Sequence, residues 1–140
     1  MAREARVTVV FRRPAGKASA LASTVTVPAP YSIVSHPAEI GATEALRFEA
    51  KDLNGPVAVV VSGGCLKRTN TLASPKGGRF ETPPLNLTFA TNVSRCDASF
   101  EVRATTAGRM DPAFGSSNDI FDRTGYESVQ RRTFHAVVKP

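Results

Sequence analysis

The 140-residue sequence has no tryptophan, two cysteines, two tyrosines and two histidines. Two cysteines exclude a disulfide-dense miniprotein. With Tyr31 and Tyr126 as its only phenols, the chain has little material for an exposed aromatic platform that stacks on sugars. No apolar run approaches the ~18–20 residues a helix needs to cross a bilayer. Met1 to Arg6 lead into no long apolar stretch, so no secretory leader is expected. Helical periodicity is nearly missing, which excludes a coiled coil. Gly63-Gly64 and Gly77-Gly78 are isolated pairs, and neither phosphate-cradling glycine pattern occurs.

What is present is enough apolar material for one core: hydrophobic residues make up 41% of the chain. At this length one domain over 1–140 is expected. The formal net charge is +6, and it is uneven. Residues 1–17 carry five basic residues against Glu4, or +4, and residues 123–140 carry four against Glu127, or +3. The middle, with nine basic and ten acidic residues, sums to −1. The basic character therefore lies in the two terminal segments. Such arginines suit exposed strand edges and contacts with a partner protein. A nucleic-acid groove would need both ends on one face, and no aromatic residues are interleaved with the charges, so nucleic acid is admitted but not favoured.

Alternation at period two recurs along the chain. Val7–Phe11 and Ser23–Val27 read as strands, ended by Arg12-Arg13-Pro14 and Pro28-Ala29-Pro30. In Ala45–Lys51, Leu46, Phe48 and Ala50 face inward, while Arg47, Glu49 and Lys51 face water. Val57–Val61 is continuously apolar, as a strand buried on both faces would be. The polar stretch Lys67–Gly78 reads as a loop or weak hairpin, Arg79–Thr82 as a short strand and Leu85–Phe89 as another. Ala98, Phe100, Val102 and Ala104 form one face of a strand over Asp97–Thr105, and Arg132–Lys139 closes the chain. Seven to nine strands with frequent turn signals predict an all-β fold, an antiparallel β-sandwich of immunoglobulin-like or jelly-roll-like form. Residues 107–129, rich in glycine and aspartate, read as one long loop or arm.

Few residues invite chemistry. Cys65 and Cys96 stand 31 apart at strand edges, as a disulfide or as two separate small hydrophobes. His36 and His135 follow no metal-ligand spacing, so no metal is expected. Asp111, Asp119 and Asp122 do not match a calcium loop and read as turn formers. No nucleophile elbow or cysteine-protease pattern accompanies the histidines. Glu81 and Glu101 sit on outward strand faces, which gives an acid–base pair no support. Asn86-Leu87-Thr88 and Asn92-Val93-Ser94 are formal glycosylation triplets only. No cofactor, catalytic group or membrane contact is expected.

The run Glu44–Ala50, the stretch Val57–Cys65 and the strand Arg95–Arg103 together resemble an immunoglobulin-like β-sandwich domain of bacterial or phage type. The resemblance implies a fold and no activity. An all-β chain without a catalytic constellation acts by presenting surfaces. The expected function is therefore a non-enzymatic structural protein of a large assembly. A phage-like virion component (capsid, capsid-decoration or tail protein) fits, made in the host cytoplasm, with copies of itself or other structural proteins as partners. Arg3, Arg6, Arg12 and Arg13 at one end and Arg131 and Arg132 at the other are candidate inter-subunit contacts. Phe114, Ile120 and Phe121 would anchor the arm in a neighbour. The alternative is an extracytoplasmic or cell-surface immunoglobulin-like module that binds protein or carbohydrate.

Overall fold

Every regular element among the described residues is a strand. The computed structural model describes residues 5–11, 21–27, 29–107 and 127–140. In chain order the strands are β1 (Ala5–Phe11), β2 (Leu21–Val27), β3 (Ser32–Ser35), β4 (Glu39–Gly41) and β5 (Ala45–Lys51). They continue with β6 (Val57–Gly63), β7 (Leu66–Lys76), β8 (Arg79–Pro84), β9 (Cys96–Ala107) and β10 (Glu127–Lys139). The chain divides into two compact units, Met1–Ala29 with Thr105–Val129, and Pro30–Ala104 with Gln130–Pro140. In the first, β1 and β2 pair antiparallel from Ala5↔Val27 to Phe11↔Leu21. The expected arm falls largely on residues 108–126, outside the described residues.

The larger unit is built on one eight-stranded sheet in the order β3-β5-β8-β7-β6-β9-β10-β4. The β3–β5, β5–β8, β7–β8, β6–β7 and β6–β9 pairs are antiparallel, and β4 runs parallel to its neighbour, β10. β3 and β4 stand at opposite ends of this order, yet only His36, Pro37 and Ala38 separate them in sequence. So short a connection requires the sheet to curl until its two ends approach, giving a half-barrel. Backbone bonds extend the closure. The Ala42 amide donates to Lys139 O at 2.7 Å, Leu87 N to Ala42 O at 2.8 Å and Leu85 N to Glu44 O at 3.0 Å.

The concave side holds the core. Leu46 and Phe48 of β5, Val57, Val59 and Val61 of β6, and Phe100 and Val102 of β9 are buried there, as period-two patterning requires. Phe48 stacks on Phe80 with ring centroids 5.3 Å apart, and Phe100 stacks on Phe134 at 5.2 Å. Phe48 and Phe134, 6.2 Å apart, join the two stacks. Each fully buried side chain of this size contributes roughly 1.5–3 kcal/mol over its exposed state.

Three local expectations change. Lys67–Gly78 is not a loop: β7 spans most of it. Its amides pair with β6 over Leu66–Ala73 and with β8 over Ser74–Lys76, so backbone pairing rather than apolar patterning makes the strand. Gly77 and Gly78, with φ of 57° and 81°, form the tight β7–β8 turn, which asks for two left-handed residues. Conversely, Leu85–Phe89 is not a strand: Asn86 has a φ of 50°, and the segment meets the sheet through a single bridge from Phe89 to Leu66. The short β3 and β4, which flank Pro37, carry no periodic signal and add two strands to those expected.

Candidate interaction surfaces

Cys65 and Cys96 are joined, with Cα atoms 5.9 Å apart. The bridge ties the β6–β7 connection to the start of β9. The backbone there is already close: a Cβ at Gly63 would stand 3.0 Å from the Asp97 carbonyl oxygen, so glycine suits that position. Ala90 N also donates to Cys65 O at 2.9 Å, which holds the 85–90 segment against the same corner.

A second tie crosses the inside of the curl. Tyr31, just before β3, is 3% exposed, and its hydroxyl donates to Val102 O at 2.6 Å. Arg132 of β10 reaches back to it: Nε donates to Tyr31 O at 2.8 Å, and the guanidinium carbon lies 5.0 Å from the Tyr31 ring centroid. Burial raises the Tyr31 phenol above its ordinary value, and the nearby Arg132 charge opposes that rise. Arg132, expected as an inter-subunit contact, thus spends its guanidinium within the chain. It shares its strand face with the buried Phe134, Ala136 and Val138, and period two put that within reach of a sequence reading. Arg131, on the opposite face, is exposed.

The two outer faces of the curled sheet differ in chemistry. Over β5, β8 and the end of β7 lies a ladder of ion pairs. Glu81 accepts from Arg47 at 2.9 Å and Lys76 at 3.0 Å, and Glu49 accepts from Arg79 at 3.0 Å. The basic side chains are 62–72% exposed, as on a solvated face. Over the first part of β7, β6 and β9 the outward residues are smaller and more apolar. In register, Ala58 lies between Leu72 and Arg103, and Val60 between Asn70 and Glu101. Val60 is buried but lies outside the core cluster, because its alternation points it to this outer face. Leu72 is 61% exposed. Glu101 and Arg103 form an ion pair with both side chains mostly covered, 26% and 29% exposed.

A shallow cavity of about 440 Å³ is lined by His36, Ala38, Asp97, His135, Ala136 and Val137. The His36 ring stacks on Phe134, 4.4 Å between centroids, and its Nδ1 lies 3.1 Å from Pro37 O. The two histidines so distant in sequence therefore share one cavity. Among the described residues no three metal-ligating side chains converge.

Of the other expected contact residues, Arg6 lies on β1, paired with Thr26. Arg3, Arg12, Arg13, Phe114, Ile120 and Phe121 lie outside the described residues, as do Asp111, Asp119 and Asp122. Sequence reasoning missed the buried tie made by Tyr31 and the half-covered Glu101–Arg103 pair. The first carries no periodic signal. The second was legible only as two outward charges. No family model, curated protein or solved structure matches this chain.

Proposed function

We propose that the chain is a non-enzymatic structural subunit of a large assembly, of the virion kind (capsid, decoration or tail), acting through subunit–subunit contacts. One observation carries the reading. The basic N-terminal segment and the stretch expected as an arm, far apart in sequence, belong to one compact unit, Met1–Ala29 with Thr105–Val129, distinct from the disulfide-stapled body. A body that supplies a stable core, joined to a separate unit that carries arginines and aromatic residues, suits a protein that grips neighbours.

The body fits an immunoglobulin-like sandwich. β3-β5-β8 with the end of β7 corresponds to one layer, and β4-β10-β9-β6 with the start of β7 to the other. β7 then passes between the layers, and the β3–β4 connection crosses between them at the opposite edge. This assignment gives the half-barrel a topology and transfers no activity.

Deleting Gly108–Gly125 tests the function. The circular dichroism of a β-protein should persist, while assembly followed by light scattering and electron microscopy should be lost. Assembly that continues unchanged overturns the proposal. The disulfide favours a second reading, an extracytoplasmic protein-binding module, since such bonds persist in oxidising compartments. Native mass separates the two: a ring or shell supports the subunit reading, and a monomer at all concentrations supports the module.

A further inference from the structure

We propose that Asn54 is a self-modification site. Its side chain condenses with the Gly55 amide, and the folded chain converts it to aspartate and isoaspartate without an enzyme. The site is independent of the subunit reading.

Asn54-Gly55 is the one Asn-Gly pair in the sequence, and it lies between the end of β5 at Lys51 and the start of β6 at Val57. The reaction needs an unshielded, unbonded backbone amide next to a solvent-exposed side-chain amide. Both conditions are met. Asn54 is exposed. Gly55 has no Cβ to shield its nitrogen, and the space where one would stand is open, with nothing within 4 Å. Among the described residues, neither the Gly55 N–H nor the Asn54 side chain has a hydrogen-bond partner. The neighbouring sequence favours this. Pro56 has no N–H, so it cannot close a turn over Asn54-Gly55 with the usual bond to Leu53 O. Gly55 has a φ of 73°, which glycine adopts at no steric cost.

The other asparagines of the body lack one condition or another. Asn70 lies within β7, and the residue after it, Thr71, is paired with Val59. Leu87, after Asn86, commits its amide to Ala42 O at 2.8 Å. Asn92 precedes Val93, a half-buried residue whose branched Cβ crowds its own nitrogen.

The chemistry uses water alone as co-reactant. The Gly55 nitrogen loses its proton to hydroxide and attacks Asn54 Cγ. A new N–Cγ bond forms, the bond from Cγ to the side-chain nitrogen breaks, and ammonia leaves. Water then opens the five-membered imide at one of its two carbonyls. Opening at Cγ leaves aspartate in the original backbone. Opening at the main-chain carbonyl leaves isoaspartate, with Cβ and Cγ in the path of the chain. Nothing is oxidised or reduced. Exchange of ammonia for water raises the mass by about 1 Da. Either product adds one negative charge beside Lys51 and Asp52, taking the formal net charge from +6 to +5.

Ageing the full chain in mildly alkaline buffer at physiological temperature tests this, with an unaged sample as the digestion background. After reduction, the tryptic peptide 52–67 holds Asn54 and no other asparagine or glutamine, so a gain of about 1 Da there identifies the residue. The gain should come within about tenfold of its rate in urea, where no fold protects the pair. In the native chain, the peptides 69–76 and 80–95, which hold Asn70, Asn86 and Asn92, should gain at least about tenfold less. An isoaspartate-specific methyltransferase should label the aged peptide 52–67. Asn54→Gln, whose side chain would have to close a larger ring, should abolish both signals. Gly55→Ala, which places a methyl beside the nitrogen, should slow them by about tenfold or more. Circular dichroism reports the fold of each variant, and Asn54→Gln keeps the test open if Gly55→Ala misfolds. A stronger suppression by the fold, a smaller contrast with the other peptides, or an aged peptide without isoaspartate would each overturn the proposal.

Discussion

The Tyr31 hydroxyl, ahead of β3, donates at 2.6 Å to the carbonyl of Val102 in β9, a residue 71 positions away. One buried phenol thus ties the first strand of the curled sheet to one near its far end. Because burial raises the folded pKa of Tyr31 above the ordinary 10.0, the neutral phenol is the form the fold prefers. Its contribution is fully present below the unfolded value and is lost as pH rises through the folded one. In a Tyr126→Phe chain, phenolate absorbance should titrate with a midpoint above 10.0, uncluttered because the sequence has no tryptophan. Tyr31→Phe should cost about 1 kcal/mol at neutral pH and should flatten the loss of stability in alkali. A phenol titrating at or below the ordinary value would contradict this.

The Cys65–Cys96 bridge spans a separation of 31 residues. In the chain-entropy account a loop of that length restricts the unfolded chain by about 3–4 kcal/mol. The Cys65→Ala/Cys96→Ala double variant should therefore unfold at lower urea by that amount. Thiol titration of the unreduced, unfolded wild-type chain should find no free thiol. Two titratable thiols would refute the pairing.

Period two made the centre of this fold readable. Leu46 and Phe48 in β5 and Ala98, Phe100 and Val102 in β9 are buried where alternation put them, because one face of each strand must leave water, and Val57, Val59, Val60 and Val61 in β6 are buried as a continuous apolar run implies, with Ala58 half-buried. β7 was hidden because it is held by backbone pairing on both sides and carries Thr69, Asn70 and Thr71 at its middle. β3 and β4 were hidden because four- and three-residue strands are too short to show a period, and the parallel pairing of β4 leaves no local trace. The candidate surfaces were less legible than the core. Outwardness could be read for Glu101 and Arg103, but which strands lie side by side, and hence what surrounds that pair, comes only from the register.

Phe134 stacks on Phe100 and touches the Phe48 stack, so its removal opens a cavity at the join of the core. Phe134→Ala should cost about 3–5 kcal/mol, read as a lower denaturant midpoint without a changed slope. Phe134→Leu should cost clearly less, because it keeps most of the volume. Equal losses would show that the aromatic stacks, not volume, dominate.

Thr82 is the one buried polar residue among the described residues, 3% exposed. Its hydroxyl accepts from Leu46 N at 2.9 Å and donates to Pro83 O at 2.7 Å. The β5–β8 register is irregular between Ala45 and Arg47, and the hydroxyl supplies the bond that the ladder omits at Leu46. Thr82→Val preserves the shape but strands that amide, so it should destabilise by about 1–3 kcal/mol. Hydrogen exchange at the Leu46 amide should quicken well beyond the change expected from global stability alone. Thr82→Ser, which keeps the acceptor, should protect that amide as wild type does.

Glu81 accepts hydrogen bonds from Arg47 and from Lys76, which together hold its carboxyl below the ordinary 4.5. A depressed folded value means that the contribution is present above the unfolded value and is lost as pH falls through the folded one. Wild type should therefore exceed Glu81→Gln in stability at pH 7, and the gap should close as the carboxyl protonates in acid. The partners are solvent-exposed, so the gap should be modest and should shrink with added salt. Urea unfolding of both chains at neutral and strongly acidic pH, each at low and high salt, measures it. A difference that persists undiminished in acid would mean that Glu81 acts through packing and not through its charge.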